Sequence, residues 1–170
     1  MLQRFWPVEE IHVEAIANNH IFDKLLEYVQ NHRVMCLVIG ADEPWCEKRI
    51  NANWLDIEKY RDDLSRKYSV LSNYAKIGLH VHLYHKYSLT KMSFKDQLEK
   101  IAETKRFVES ACGRVVDFAP GWWNYDLDTL KACEVLGLTR FHCRTKLPVW
   151  WSPKIAYVHV HRWIHDFDLK

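Results

Sequence analysis

Along residues 11–17 the apolar Ile11, Val13 and Ala15 alternate with His12 and Glu14, the period-2 signature of a strand with one polar-bearing face. Asn18 and Asn19 end it. Phe22, Leu25, Leu26 and Val29 then recur at helical spacing up to a stop at Asn31-His32, and Val34 to Ile39 is a continuous apolar strand closed by Gly40. A second helical set, Leu55, Ile57, Tyr60, Leu64 and Tyr68, leads into Ile77-Gly78-Leu79-His80-Val81-His82-Leu83, a strand with histidines at alternate positions. Ser93 with Asp96 makes a capping box for an amphipathic helix through Phe94, Leu98, Ile101, Lys105 and Val108. Val115 to Ala119 is the next strand. After Pro120-Gly121-Trp122-Trp123 a short helix starts near Asp126, turns Leu127, Leu130, Cys133 and Leu136 inward, and stops at Gly137 in the left-handed position. Thr139 to Cys143 and Ile155 to His161 complete the strands.

Strands alternating with helices imply parallel strands joined by right-handed crossovers, so the class is α/β. Six strands with four helices are few for a closed eight-fold barrel, which takes ~250 residues. The pattern predicts a distorted or incomplete (β/α) barrel, or a curved sheet, of parallel strands with outer helices, as a single domain over residues 1–170. Its functional end is formed by the loops at the carboxyl ends of the strands.

Composition narrows the partners. With 24 Lys+Arg against 22 Asp+Glu the formal net charge is only +2, which gives no basic face for nucleic acid or an anionic membrane. The 5 cysteines, Cys36, Cys46, Cys112, Cys133 and Cys143, are odd in number and contain no C-x-x-C, so they read as reduced thiols. No signal peptide or run of ~20 apolar residues stands in the chain as given, and the expected location is cytoplasmic. Oligomeric state is not legible.

Ten histidines and 8 tryptophans carry the candidate chemistry. Residues i and i+2 of a strand share a face, and three strands carry such a pair: His12 with Glu14, His80 with His82, and His159 with His161. Convergence at the strand ends would gather ligands suited to zinc or another divalent transition metal. Tyr84-His85 lies just beyond the second pair, where a loop begins. Trp122-Trp123 sits between a strand and a helix, where loops build sites and an indole can pack on a sugar, or else on the core. Trp150-Trp151 reads similarly, and Lys48-Arg49 is a solvated pair. His20, His32 and His142 read as surface or satisfied core histidines, and His165-Asp166-Phe167-Asp168 as a fraying terminus. No phosphate loop, dinucleotide fingerprint or G-x-S-x-G elbow is present.

Lys76-Ile77-Gly78-Leu79-His80-Val81-His82 resembles the x-I-G-x-H-[ST]-x-x-H segment of the polysaccharide deacetylase family, and further matches follow in register. Val34 to Gly40 is similar to that family's second strand, Val116-Asp117-Phe118-Ala119-Pro120-Gly121-Trp122 to its F-R-x-P-Y-G region, and Val158-His159-Val160-His161 to its late L-x-H motif. The resemblance implies a distorted barrel and hydrolysis of acetyl groups on sugars with a divalent metal, zinc first, with cobalt, nickel or manganese as alternatives. Glu14 falls on the family's metal-binding Asp and His80 on its first histidine. The second histidine position is Tyr84, so His82 or His85 would substitute. The base position is Val13, which leaves His12 to act as base, and Ala119 stands where an arginine would orient it. His161 or His159 would protonate the leaving group, and Trp122, Trp123 and Tyr84 would line the substrate subsite.

The expected function is therefore a metal-dependent hydrolase removing an acetyl or other acyl group from a sugar or related small-molecule or oligosaccharide substrate. A non-catalytic relative that binds carbohydrate or metal is the alternative. An amidohydrolase-type enzyme, suggested by H-x-H alone, ranks last, because two βα units precede that strand.

Overall fold

The structure, a computed structural model, describes residues 9–41, 57–85, 88–89, 92–144, 152 and 154–169, with residues 84–85 and 88–89 described by their backbone alone. Cys46, Lys48-Arg49, Leu55 and Trp150-Trp151 lie outside the described residues.

The elements follow the alternation of the sequence. β1 (Glu9–Val13), α1 (Asn19–Asn31), β2 (Val34–Val38), α2 (Ile57–Leu71) and β3 (Lys76–Val81) come first, followed by a small antiparallel pair, β4 (Tyr84–His85) and β5 (Ser88–Leu89). Then come α3 (Phe94–Cys112), β6 (Asp117–Pro120), α4 (Leu127–Val135), β7 (Arg140–Cys143), β8 (Ala156–His159) and β9 (Trp163–His165). Local chemistry sets the boundaries. Asn18 caps α1 by accepting the N–H groups of His20 and Ile21, and Ser93 caps α3 by accepting that of Asp96. Asp126 and Thr129 form a reciprocal capping box on α4, and Gly137 follows it at φ 69°, as its place in the sequence predicted.

The seven strands of the main sheet are parallel, in the order β8-β7-β6-β3-β2-β1-β9, and form a half-barrel flanked by the helices. The seventh strand is the difference from the sequence reading. The expected strand over 155–161 ends at His159, and the chain continues into β9, which pairs with β1 in the register Glu10↔Trp163 to His12↔His165. One short stretch of chain thus supplies both edges of the sheet.

The two faces of the sheet differ in character. Outward-facing Ile11, Val13, Cys36, Val38, Leu79, Val81 and Phe118 join the main core with the helices. The inner face has a small apolar cluster of Met35, Leu37 and Ala119, and beside it buried Glu10, His12, His80, Asp117 and His142. Buried polar groups need partners. His142 satisfies both ring nitrogens, Nδ1 against Glu10 Oε1 at 2.5 Å and Nε2 against Asp117 Oδ1 at 2.8 Å, while Arg140 Nε donates to Asp117 Oδ1 at 2.7 Å. His142 is thus a satisfied core histidine.

Cys36, Cys133 and Cys143 are buried and Cys112 is half-buried. Among the described residues no helix is long and apolar enough to cross a membrane.

Candidate metal centre

Glu14 lies one residue beyond β1 and His82 one beyond β3, at the carboxyl ends of parallel strands, where α/β sheets place their sites. Both are buried, as are His12 and His80. Alternation carries each pair onto one face, and the curvature of the sheet joins the two pairs. One ligand atom from each of His12, Glu14 and His80 lies within 4.8 Å of the others. Glu14 Oε1 is the hub, with His80 Nε2 at 3.3 Å, His165 Nε2 at 3.7 Å and His82 Nε2 at 3.8 Å.

The electrostatics follow from burial and from that crowding. Burial opposes the charge of Glu14, yet the hydrogen bond to His80 and the neighbouring His82 and His165 hold its carboxyl below the usual range. His12 is driven the other way. Burial first, then the charges of His80, His165 and His82, push its pKa far down, so it stays a neutral imidazole. Its Nε2 is buried and has no hydrogen-bond partner among the described residues. A neutral ring with an unshared nitrogen beside a carboxylate and a second imidazole is the donor set that a transition-metal cation requires, so the residues fit such an ion.

These groups border a cavity of about 270 Å³, walled further by Trp122, Trp123, Trp163 and Arg144. Trp122 stacks on His82 with centroids 4.4 Å apart, and Trp163 on His12 at 5.0 Å. Trp122 and Trp123 both take positive φ, 50° and 59°, a backbone form costly for bulky residues and held only where the surroundings fix it. Gly121 is required there: a Cβ would sit 1.7 Å from Cδ2 of His82. The indole loop therefore rests directly on the histidine.

The structure brings together His12, Glu14, His80, His82, Trp122 and Trp123 from the sequence-based set. It does not bring in His159 or His161. Those two rings pack on each other, centroids 4.5 Å apart, and both residues are exposed at the β8 edge, outside the cavity lining. The side chains of Tyr84 and His85 lie outside the described residues. His165, expected to fray, is instead a cavity residue because β9 is tied to β1. The repeated H-x-H spacing points to His159 and His161, whereas no local signal marks His165, Trp163 or Arg144.

No protein-family model and no curated protein matches the chain. Solved structures do share its fold. A CE4 family pseudoenzyme from Bacillus anthracis aligns with a TM-score of 0.55 and 12% identity over 82% of this chain and 44% of that one. A mutant of that pseudoenzyme with restored enzymatic activity aligns at 0.56 and 13% over 79% and 43%. A family 4 carbohydrate esterase from Streptomyces lividans in complex with acetate gives 0.54 and 10% over 79% and 60%. The chain thus has the half-barrel of the CE4 polysaccharide deacetylases and spans less than two thirds of the length of these neighbours.

Proposed function

We propose that this chain is a divergent polysaccharide-deacetylase-like protein that binds a divalent transition metal, zinc foremost, and hydrolyses an acyl group on a sugar or related N-acyl substrate. The observation that carries this reading is the convergence of His12, Glu14 and His80, with ligand atoms within 4.8 Å of one another at the carboxyl ends of β1 and β3. His12, Glu14 and His80 would hold the ion, with His82 completing the set. The bound ion supplies an electrophile for the acyl carbonyl and lowers the pKa of water from ~15.7 toward ~7.

His12, first read as the base, is better suited to ligation, since an imidazole held neutral so strongly is a poor proton acceptor. His165 is the remaining imidazole at the rim, 3.7 Å from Glu14 and about a quarter exposed (24%). It receives the proton of the attacking water and delivers it to the leaving amine or alkoxide. Trp122, 45% exposed, and Trp123 offer flat apolar walls to a sugar ring.

Metal analysis of purified protein, followed by acetate release from acetylated chitooligosaccharides, tests the reading. Stoichiometric zinc, with turnover lost in His165→Ala while zinc stays bound, supports it. Protein that takes up no zinc, cobalt, nickel or manganese overturns it. The second reading, a metal-binding protein without turnover, is favoured by one feature: Glu14 is the only carboxylate among the described cavity residues, which leaves no acidic base beside it. Tight zinc binding with no acetate released from any acylated substrate selects that reading.

A further inference from the structure

Glu14 and Ala15 lie just past the end of β1, where the ladders to β2 and β9 have stopped at Val13 and His12. Their N–H groups are nevertheless satisfied. Oδ2 of Asp166 accepts both, at 3.1 Å from Glu14 N and 2.8 Å from Ala15 N, and Oδ1 accepts the N–H of Phe167 at 3.0 Å. A side chain from the far end of the chain thus replaces the missing strand.

Asp166 is 1% exposed, and among the described residues no cationic side chain pairs with it. Burying a carboxylate without a counter-charge is costly, and its near charged neighbour, Glu14, repels it. Two N–H groups alone do not call for an anion. Asp166 also follows His165 directly in the chain, so a single anchor sets the backbone under Glu14 and the backbone under the imidazole that faces it.

We propose that Asp166 is the positioning residue of the metal centre, holding Glu14 and His165 in register from behind the ligands. The proposal rests on the metal-binding reading above. It assigns Asp166 no contact with substrate or ion.

The test compares zinc affinity, by competition with a chromogenic chelator, in wild-type protein and in Asp166→Ala, Asp166→Glu and Asp166→Asn. Amide hydrogen exchange at Glu14 and Ala15 is followed in parallel in the zinc-free proteins. Removing the acceptor (Ala) or lengthening it (Glu) is expected to weaken zinc binding about tenfold or more, the range for groups behind metal ligands. Asp166→Asn, which keeps an acceptor oxygen, should recover most of that loss and restore exchange protection. If Asp166→Ala fails to fold, Asp166→Glu against Asp166→Asn carries the comparison. Wild-type zinc affinity in the Ala or Glu variants overturns the proposal and leaves the metal reading intact. Equal loss in the Asn and Glu variants also overturns it. Wild-type protein that binds no zinc removes the metal reading itself, and this proposal with it.

Discussion

His12 and His80 hold their ring centroids 4.2 Å apart although the whole of β2 lies between their strands. In a flat sheet, side chains two strands apart would stand about 9–10 Å from each other. Curvature toward the inner face closes that gap and makes a ligand set from two remote i, i+2 pairs.

His12→Ala removes one of the three clustered donors and a buried polar atom that has no hydrogen-bond partner. The expected result is zinc affinity lowered at least about tenfold, with zinc-free stability unchanged or slightly raised. Chelator competition and urea unfolding measure the two effects. A variant that binds zinc as wild type does would remove His12 from the ligand set.

Gly121→Ala forces a methyl group into the His82 ring, so either the histidine or the strained tryptophan turn must move. Overpacking of this kind costs about 1–3 kcal/mol. Urea denaturation should report that loss, and tryptophan emission should shift as Trp122 leaves its stack.

Within the half-barrel, buried Glu10, His142 and Asp117 form a charged chain that half-buried Arg140 completes. Burial opposes the charge of His142, but hydrogen bonds to Asp117 and Glu10 raise its pKa from 6.5 to about 9. A raised pKa adds stability that is complete below the unfolded value, near 6.5, and is lost as pH climbs through about 9. Asp117 is opposite in sign: burial works against its charge, while His142 and Arg140 hold its carboxyl low, so its contribution disappears as pH falls into the acid range. Urea midpoints measured across pH should therefore decline on both sides of a mildly acidic plateau that ends near pH 6.5. His142→Gln should flatten the alkaline decline and, by leaving carboxylates unpaired, cost about 3–5 kcal/mol at neutral pH.

Lys67 of α2 is completely buried, and its Nζ donates to Ile16 O at 2.8 Å, Ala17 O at 3.1 Å and Asn19 Oδ1 at 2.8 Å, with Asp63 Oδ2 at 2.7 Å. It ties down the loop that leaves Glu14. Lys67→Met keeps the bulk but strands those backbone oxygens and leaves Asp63 with Arg66 alone, and should destabilise by about 3 kcal/mol or more. Increased proteolysis between β1 and α1 would accompany it, measured by limited digestion. Unchanged stability would deny Lys67 that role.

The alternation of His12 with Glu14 and of His80 with His82 told from sequence alone which side chains share a face, because strand geometry is local. Helix ends at Ser93, Asp126 and Gly137 were equally readable, since these residues act on N–H and C=O groups within a few residues of themselves. The same H-x-H spacing misdirected at His159 and His161. Nothing local reveals that β8 is an edge strand, with His159 and His161 exposed and outside the cavity lining. His165 and Asp166 were unreadable for the converse reason: a strand of three residues has no period, and β9 exists only by pairing with β1. His142 likewise found Glu10 at a sequence separation of 132. Residue pattern determined six of the seven strands of the main sheet, the helices and the candidate ligand types. Tertiary curvature and sheet order decided which imidazoles meet a carboxylate, because those distances are set by contacts between segments far apart in the chain.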